Sequence, residues 1–586
     1  MMKTEYFRIK NRWQLQQLKK MSEVNHCVIV TPYRIKDRTK PFKFPSDNKK
    51  VSSFLSLIQE TISICAETIK PGGLIYVFGL PQWLPYMAQP LHHKLEFKYW
   101  IGIKTEVKEN YDYLKPEHIG LLMYYKKDKR FLINKIRIPH EYCKFCGNTL
   151  KDYGGKKHLM HKDGYAISDV WKDLKISVTD NKLPEELKQR ILQLTITKAN
   201  EKVLLIEFED IKVTRIYPIK SDGKNQITNS LKKDLLDKIY TDDCIEFMKR
   251  LPDNSIDLLF ADPPYNLNKD YTGYTDHQID DDYINWCEEW LVEYVRILKP
   301  GGALYILNLP KWAIHHAQFL SKHLYFQNWI VWDALSDPRG KLMPAHYALL
   351  YYTKGPKPKT FNYNRLDAPT VNEEFVSPPD APFYCLRASC IRKRKLNGDD
   401  EKVELSDIWT DIHRIKHKRD RDAHPCQLPE KLLERIIKLS SNPGDIVLDC
   451  FIGTGTTAIV AYKLGRHFIG IDMDENYVRI TQEKLNQLKE NGFIIKKSTP
   501  RLRRRFIKKE MQLELQRLTL KLGRLPTRED IEKFSRYRVS DFESVFSTWG
   551  KALKAAKLAN PETGELKVLE FQNNAERQHQ LELFQK

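Results

Sequence analysis

Four consecutive residues, Asp262, Pro263, Pro264 and Tyr265, have the chemistry needed to act on an amino group attached to an aromatic ring. Such a nitrogen is a poor nucleophile because its lone pair is delocalised into the ring. The Asp262 carboxylate and the Pro263 carbonyl could accept its hydrogens and favour the pyramidal, more nucleophilic form. The Tyr265 ring could stack on a base swung out of a duplex. Asp-Pro pairs also initiate ordinary surface turns, and these four residues alone leave that alternative open.

An apolar segment, residues 256–261, precedes this tetrad and is predicted to be a short buried strand. Consecutive prolines cannot continue a central strand, so the strand is expected to stop at Asp262. Open α/β sheets bind their ligands at the carboxyl ends of strands. The sequence therefore predicts that the tetrad lies at a ligand-binding edge.

A second segment has the pattern of a nucleoside-binding unit. Residues 445–450 are predicted to be a buried strand, followed by the glycine loop 453–455 and by an apolar helix that begins at Thr456. Glycines allow positive φ and close approach to a ligand, and the helix N-terminus offers free amides. A further strand, residues 467–471, leads to Asp472, whose carboxylate suits the ribose hydroxyls of a nucleoside cofactor.

Together these residues resemble the beta group of amino-methyltransferases acting on DNA, in which the tetrad precedes the cofactor loop. Matching segments extend from about residue 242 to residue 485 and include KPGG at 299–302, SDIW at 406–409 and HPCQLP at 424–429. The resemblance implies a doubly wound, Rossmann-like α/β fold and S-adenosyl-L-methionine as the methyl donor. It also implies adenine N6 as the target, since Ser in place of Asp262 accompanies cytosine N4.

The resemblance implies roles for individual residues of the cofactor pocket. Asp243 would contact the cofactor adenine, and the stretch that begins at His424 would shape the methionine end. Ala423 and Leu428 stand where the familiar pattern has basic residues, which leaves individual roles there open. The full set expected to bind the cofactor is Asp243, Cys244, His424, Asp449, Phe451, Gly453, Gly455, Thr456 and Asp472.

The first 215 residues repeat this pattern without its chemistry. Val30-Thr31-Pro32-Tyr33 stands in place of the tetrad, and KPGG at 70–73 and SDVW at 168–171 follow in the same order. Val30 cannot supply a carboxylate, and residues 198–213, where the glycine loop belongs, contain no glycine. We expect a diverged methyltransferase copy that binds no cofactor and forms an internal pseudo-dimer with the second half.

The charge of the chain indicates a polyanionic partner. The formal net charge is +21, and basic residues cluster at 392–395, 414–421 and 501–509. Lysine and arginine side chains that neutralise phosphates release condensed counterions, so double-stranded DNA is the expected partner. No apolar run approaches the roughly 20 residues of a membrane span, and we expect a cytoplasmic protein.

The C-terminal region resembles the small helical repeat found beside homing endonucleases. GRLPT at 523–527 and the Phe546-x-x-Trp549 pair carry the resemblance. Thr527 and Asp530 predict a capped helix, and Phe546, Trp549, Leu553 and Ala556 have helical spacing. The resemblance implies DNA binding, and a helical docking module is the alternative.

These patterns predict three domains. They are a degenerate methyltransferase-like domain at 1–215, a catalytic domain at 230–497 with its target recognition region at about 333–421, and a helical DNA-binding module at 510–560.

A possible metal site lies inside the N-terminal copy. Cys143 and Cys146 precede His158 and His161, and two thiolates with two imidazoles match the preferences of tetrahedral zinc. The spacing between the histidines is shorter than in finger helices, and ordinary loop cysteines are the alternative. The sequence therefore predicts a structural zinc ion.

The leading hypothesis is a site-specific adenine-N6 DNA methyltransferase, the modification enzyme of a restriction-modification system with a companion restriction endonuclease. Cytosine-N4 methylation is the alternative within the same class. A non-catalytic DNA-binding protein on a methyltransferase scaffold is the alternative from a different class.

Overall fold

The computed structural model describes most of the 586-residue chain. The described residues are 3–21, 23–44, 49–140, 142–149, 160–198, 200–209, 211, 230–267, 270–271, 274–334, 340–362, 387–396, 405–412, 414–415, 427–491, 500–535, 537–556 and 558. They form two compact units, Met1–Asn486 and Gln487–Lys586. In the described part of the chain, no helix combines the length and the apolar character that crossing a bilayer requires.

The N-terminal half of the larger unit contains a seven-stranded sheet. Its strands are β1 (Lys3–Ile9), β2 (Val24–Val30), β3 (Ile69–Gly79), β4 (Glu96–Thr105), β5 (His118–Tyr125), β8 (Val170–Ile176) and β9 (Lys202–Phe208). A separate pair is formed by β6 (Arg137–Ile138) and β7 (Tyr165–Ala166). The helices are α1 (Arg12–Lys19), α2 (Lys49–Thr68), α3 (Leu84–Ala88) and α4 (Glu185–Thr195). The strand order in the sheet is β1-β9-β2-β3-β5-β4-β8.

The second half contains an eight-stranded sheet. Its strands are β10 (Lys238–Thr241), β11 (Ile256–Ala261), β14 (Leu298–Asn308), β15 (Tyr325–Asp333), β16 (His346–Thr353), β17 (Ile408–Trp409), β18 (Ile446–Asp449) and β19 (His467–Asp472), and a separate pair is β12 (Asp270–Tyr271) with β13 (Tyr274–Thr275). The helices are α5 (Cys244–Lys249), α6 (Asp280–Ile297), α7 (Pro310–His323), α8 (Ala388–Leu396), α9 (Glu430–Ser440), α10 (Thr456–Lys463) and α11 (Glu475–Asn491). The strand order in the sheet is β10-β19-β18-β11-β14-β16-β15-β17.

The two sheets repeat one topology. The run β9-β2-β3-β5-β4-β8 corresponds strand by strand to β18-β11-β14-β16-β15-β17. The directions also agree, because β5 and β16 are each antiparallel to both of their neighbours while the other pairs in these runs are parallel. The fold predicted from sequence, a Rossmann-like α/β architecture present twice, is therefore confirmed. The copies differ at one edge, where β1 pairs with β9 in the place that β19 has beside β18.

A repeated helix extends the correspondence beyond the motifs found in the sequence analysis. Helix α4 and the two residues before it read LPEELKQRILQL, and helix α9 with its preceding residues reads LPEKLLERIIKL. Each helix carries an arginine that pairs with an aspartate shortly after the SDVW or SDIW segment. Arg190 lies 2.7 Å from Asp173, and Arg435 bonds Asp411. The same arginine–aspartate contact between this helix and the segment after the SDVW or SDIW motif is therefore present in both halves.

The two halves of the larger unit meet through a symmetric set of aromatic contacts. The indole rings of Trp100 and Trp329 stack with centroids 3.6 Å apart. Each indole N–H donates to a histidine of its own half, Trp100 to His118 and Trp329 to His346, both at 3.1 Å. The Nδ1 atom of each histidine lies 3.1 or 2.9 Å from the carbonyl oxygen of the other half's tryptophan. All four residues are buried, so this contact belongs to a continuous core.

The aspartates of the SDVW and SDIW segments also reach into the opposite half. Asp169 accepts hydrogen bonds from the backbone N–H groups of Ala345 and His346, at 2.7 and 3.0 Å. Asp407 accepts one from the N–H of His118 at 2.9 Å. Burial raises the pKa of Asp169 to about 7 and that of Asp407 to about 8. Two motifs that the sequence analysis used as markers of the family resemblance and of the repeat therefore hold the halves together.

The smaller unit is a helical module built from α12 (Pro500–Leu522), α13 (Arg528–Phe534), α14 (Val539–Phe546) and α15 (Trp549–Ala555). Its core includes Leu515, Leu518, Ile531 and Phe542. The predicted cap is present, since Thr527 and Asp530 form a reciprocal capping box on α13. The helical spacing from Phe546 onward does not belong to one helix. Ser547 has φ of +73°, which ends α14 before α15 begins.

Candidate active site

The tetrad and the glycine loop line the same cavity. Parallel pairing of β11 with β18, and of β18 with β19, places the carboxyl ends of the three strands at one sheet edge. An open cavity of about 320 Å³ lies there, within the size range of small-molecule sites. The predicted residues that line it are Asp243, Cys244, Asp262, Pro263, Pro264, Tyr265, Asp449, Phe451, Gly453, Thr456 and Asp472.

Of the other two predicted cofactor residues, His424 lies outside the described residues, and Gly455 is described but does not line the cavity. Gly455 has φ of +85° and begins helix α10, and a Cβ atom there would come within 2.3 Å of the Thr481 side chain. Gly455 therefore supports the turn on the side that packs against Thr481. Only glycine can adopt this positive φ and also leave room for the Thr481 side chain.

The Asp262 and Tyr265 side chains contact each other on the cavity wall. The Tyr265 hydroxyl donates to Asp262 Oδ1 at 2.5 Å. Tyr265 is only 7% exposed, and its ring lies at a tilt against that of Tyr347, with centroids 6.1 Å apart. The carboxylate thus faces an O–H donor in the position where the sequence analysis expects amino hydrogens.

Hydrogen bonds fix the backbone on both sides of the Pro263 carbonyl. The Tyr294 hydroxyl donates to the carbonyl of Phe260 at 2.9 Å, and the Tyr283 hydroxyl donates to that of Pro264 at 2.5 Å. The indole N–H of Trp312 donates to the carbonyl of Tyr265 at 2.8 Å. Rings from α6 and α7 therefore hold the tetrad in one conformation, and its geometry does not depend on a flexible loop.

Carboxylates stabilise the glycine loop from inside. Asp449 accepts from the Phe451 N–H at 2.9 Å and from the Thr457 hydroxyl at 2.6 Å. Asp472 accepts from the Gly453 N–H at 2.8 Å and from the Asp474 N–H at 2.9 Å. Burial raises the pKa of Asp449 to about 7 and raises that of Asp472 above its usual value. Both aspartates accept hydrogen bonds in or beside the loop, and both line the cavity.

Asp243 caps the helix that borders the other side of the cavity. Its Oδ1 atom accepts from the N–H groups of Ile245 and Glu246 at 2.9 and 3.0 Å, which fixes the start of α5. Burial raises the pKa of the neighbouring Cys244 thiol to about 12, so this cysteine stays protonated and unreactive at neutral pH.

Several side chains that line the cavity were not assigned to it in the sequence analysis, and three of them are large and apolar. Trp286 of α6, Met473 after β19 and Tyr477 of α11 all line it. Met473 is 60% exposed, although the residues before it in β19 are mostly buried. An apolar residue directly after the acidic strand end was a usable signal for Met473. Trp286 and Tyr477 carried no comparable signal, because their helices first had to be placed against the sheet.

At the equivalent edge of the N-terminal half, described residues of the same half cover the corresponding tyrosine. The Tyr33 hydroxyl donates to the carbonyls of Thr179 and Lys182, both at 3.2 Å, and its N–H donates to the Asn181 side chain at 2.5 Å. Tyr33 is fully buried, and this burial raises the pKa of its phenol. The segment between β8 and α4 thus covers the tyrosine that corresponds to Tyr265.

The predicted zinc ligands are arranged differently from the expectation. The Sγ atoms of Cys143, Cys146 and Cys390 lie within 4.8 Å of one another. Among the described residues His161 does not join this group, and its Nδ1 atom lies 3.5 Å from the carboxylate of Asp163. His158 lies outside the described residues.

Comparisons with known proteins agree with this geometry. A family model described as N6_N4_Mtase, DNA methylase, matches residues 24–204 and 256–483, and one described as a homing endonuclease associated repeat matches 507–559. Type II methyltransferase M.BamHI of Bacillus amyloliquefaciens is 42% identical over 241 residues, which cover 41% of this chain and only 55% of that protein. M.HpaI of Haemophilus parainfluenzae is 37% identical over 262 residues, covering 44% of this chain and 76% of that protein.

Two solved structures are more distant in sequence. The M1.HpyAVI–SAM complex is 21% identical and covers 42% of this chain and 98% of that chain, with a TM-score of 0.30. The cytosine-N4-specific PvuII DNA methyltransferase is 18% identical over 42% of this chain and 84% of that chain, with a TM-score of 0.29. Because the family model matches both halves and so covers well over half of the chain, the protein belongs to the N6_N4_Mtase family of DNA methylases.

Proposed function

We propose that the chain transfers a methyl group from S-adenosyl-L-methionine to N6 of adenine in duplex DNA. The observation that carries this proposal is the shared cavity, because a nucleoside-type glycine loop and an acid-proline-proline-aromatic corner open into one space. A methyl donor and an amino acceptor must meet within bonding distance for direct displacement. The family membership and the Type II methyltransferase relatives support the same chemistry.

The cofactor is proposed to lie along the glycine loop. The loop places Gly453 and the start of α10 against the cavity, and Asp472 presents its carboxylate beside them. That carboxylate suits two ribose hydroxyls, while Met473 and Asp243 lie where an adenine ring would need an apolar and a polar neighbour. The bound cofactor supplies a sulfonium methyl group as the electrophile.

The tetrad is proposed to prepare the nucleophile. The Tyr265 hydroxyl lies 2.5 Å from Asp262, so an entering amino group would exchange one donor to this carboxylate for another. Asp262 and the Pro263 carbonyl accept the amino hydrogens and draw the nitrogen lone pair out of conjugation. When the nitrogen–carbon bond forms, the nitrogen must lose one proton, and the Asp262 carboxylate is an acceptor in place for it.

Adenine is proposed as the base because Asp stands first in the tetrad, a preference that comes from the family resemblance. A relative named DNA adenine methyltransferase YhdJ, from Escherichia coli, is 33% identical over 260 residues and is covered to 81% of its length. Cytosine N4 is the second candidate, since the family model covers both amino groups by name.

The N-terminal half is proposed to act as a built-in pseudo-dimer partner that binds no cofactor. The covered Tyr33 supports this role. The buried contacts between Trp100 and Trp329 support a permanent pairing.

The proposed domains remain 1–215, 230–497 with recognition at about 333–421, and a DNA-binding module at 510–560. A companion restriction endonuclease and a cytoplasmic location complete the proposal.

The test is methyl transfer from tritiated cofactor to duplex DNA that lacks prior methylation, followed by digestion to nucleosides and chromatography. Label in N6-methyladenine is expected, and it must disappear in the Asp262→Ala variant. Label in N4-methylcytosine would replace adenine by cytosine as the target. Specific DNA binding without any transfer would favour the non-catalytic scaffold.

A further inference from the structure

The three clustered cysteines come from both halves of the larger unit. Cys143 and Cys146 lie between β6 and β7, in residues 139–164, which we call the inserted segment or N-terminal insertion. Cys390 lies on helix α8. Their Sγ atoms are within 4.8 Å of one another. Thiolates around a tetrahedral zinc ion, with bonds near 2.3 Å, are about 3.8 Å apart, so small adjustments would bring all three to one ion.

The inserted segment has the local geometry of a metal-binding turn. Tyr142 and Thr149 pair as an isolated antiparallel bridge, and the Gly147 N–H donates to the Cys143 carbonyl at 2.8 Å. Gly147 has φ of +63°, which closes the turn directly after Cys146. The Asn148 side-chain amide lies 3.2 Å from Cys146 Sγ, where its N–H stabilises a thiolate.

Among the residues that the structure describes, the side chains around this contact are largely exposed. In the turn, the large side chains Tyr142 and Phe145 are 53% and 50% exposed. On α8, Cys390 is fully buried, whereas the other side chains that the structure describes on this helix, such as Arg392 and Leu396, are exposed. Neither Cys143 nor Cys390 belongs to the main apolar core. Small elements without a core require a metal or a covalent link to stay folded.

We infer that Cys143, Cys146 and Cys390 bind one structural zinc ion that fastens the N-terminal insertion to helix α8 of the second half. The ligand set crosses between the halves, in contrast to the local set of two cysteines and two histidines predicted from sequence. The three thiolates fill three positions of a tetrahedral site, and a water molecule or one further side chain fills the fourth. Because α8 lies within residues 333–421, the ion would hold part of the proposed recognition region in place.

The first experiment is metal analysis of the full chain, purified without added zinc and without a metal-affinity resin. We expect about one zinc per chain, and its loss in the Cys143→Ser, Cys146→Ser and Cys390→Ser variants. Cys65→Ser, at a buried cysteine outside the cluster, is the matched control and should retain the metal. Cobalt substitution should give the thiolate-to-metal charge-transfer bands of a tetrahedral site.

Variants at the two histidines separate this ligand set from the local one. Retention of zinc in Cys390→Ser together with its loss in His158→Ala and His161→Ala would overturn the inference. A protein free of metal with a Cys143–Cys146 disulfide would overturn it equally. Cofactor binding, measured by calorimetry, should be unchanged in the cysteine variants, so failure here is distinguishable from failure of the proposed methyl transfer.

A measurement on the unaltered protein avoids dependence on folding of the variants. Alkylation followed by mass spectrometry should leave Cys146 unmodified until a chelator is added, although this residue is partly exposed. Trypsin should then cut after the exposed Arg392 and Lys393 only in the chelated protein. Rapid alkylation of Cys146 and equal cleavage before and after chelation would contradict a bound metal.

Discussion

Tyr33 and Tyr265 occupy equivalent places in the two halves, and their surroundings show how the halves have diverged. The Tyr33 hydroxyl is satisfied by the carbonyls of Thr179 and Lys182 in a closed core. The Tyr265 hydroxyl bonds a carboxylate on the wall of a cavity. Backbone that approaches from the segment after β8 covers the first tyrosine, while the corresponding edge of the second half stays open.

Away from that edge, the two halves have kept the same contacts. Trp100 and Trp329 stack at 3.6 Å, each with a histidine partner in the next strand of its own sheet. Asp169 and Asp407 each accept backbone hydrogen bonds from the other half. An interface of this kind requires both copies to keep their shape. The comparison shows that contacts between the halves are matched in both copies, while the surroundings of Tyr33 and Tyr265 differ.

The largest expected difference between the halves is in catalysis. Asp262→Ala should reduce methyl transfer by roughly 10²–10⁴-fold, because no carboxylate would then accept the amino hydrogens. Val30→Ala, at the equivalent position, should leave transfer per folded molecule unchanged. Initial rates with saturating cofactor and DNA measure both, and cofactor binding by calorimetry should be the same in both variants. A large rate loss in Val30→Ala would mean that the first half contributes to the reaction.

At the interface the two halves should respond alike. Trp100→Ala and Trp329→Ala each remove a buried indole from the same stack, and we expect each to lower the free energy of unfolding by about 3–5 kcal/mol. Urea denaturation followed by far-ultraviolet circular dichroism measures this loss. The two variants should give coincident unfolding curves, with both halves of the larger unit unfolding in one transition. Separate transitions for the halves in either variant would contradict one shared core.

The glycine loop offers a comparison within the second half. Gly455 and Gly444 both have φ of +85°, but a Cβ atom at Gly455 would meet Thr481 at 2.3 Å, whereas nothing lies within 4 Å of one at Gly444. Gly444→Ala should cost about 1–2 kcal/mol, the backbone penalty alone. Gly455→Ala should cost a further 1–3 kcal/mol or so from overpacking and should weaken cofactor binding. Thermal unfolding and calorimetry report the two effects, and equal behaviour of the variants would show that the close packing is unimportant.

Local sequence patterns, such as paired prolines and a glycine loop, were sufficient to predict the elements that carry the proposed chemistry. The strand before Asp262 and the helix that begins at Thr456 have the predicted bounds, because prolines and a glycine loop end and begin elements locally. The repeat was visible in KPGG and in the SDVW and SDIW segments. The longer match between the sequences of α4 and α9 is equally visible in the chain, although the sequence analysis did not use it.

Long-range packing could not be predicted in the same way. Cys390 approaches Cys143 only because the two halves are joined, and no spacing in the chain encodes that approach. Trp286 lines the cavity because α6 packs beside the sheet edge. The hydrogen bonds that Asp449 and Asp472 accept in and beside the loop could not be predicted either, because they depend on how the loop folds. Contacts of this type depend on the tertiary arrangement of the elements.

The histidines of the interface predict an effect of pH. Burial lowers the pKa of His118 to about 3 and that of His346 to about 4, so unfolding below pH 6.5 takes up protons at both rings. Their contribution to stability is complete above pH 6.5 and is lost as the pH falls towards these values. The raised pKa values of Asp169 and Asp407 act with opposite sign, since their contribution is lost as the pH rises towards 7 or 8.

Replacing both histidines by glutamine separates the two effects. Between pH 6.5 and 4.5 the contributions of these two histidines and two aspartates to the free energy of unfolding oppose each other. The His118→Gln, His346→Gln double variant should lose the histidine contribution, a difference of up to about 1.4 kcal/mol per pH unit for each ring. The stability of the double variant relative to the wild type should therefore increase on acidification. Parallel pH profiles for the two proteins would show that the rings are not held neutral by burial.

The smallest expected effect returns to the two tyrosines. Tyr33→Phe leaves the carbonyls of Thr179 and Lys182 without their shared donor and should cost about 1 kcal/mol of stability with no change in methyl transfer. Tyr265→Phe keeps the ring that stacks on a base but removes the donor to Asp262, so it should alter the pH dependence of transfer more than stability. Melting temperatures and rate–pH profiles of the pair measure this contrast. If Tyr33→Phe changed the rate and Tyr265→Phe changed only the melting temperature, the assignment of chemistry to the second half would be wrong.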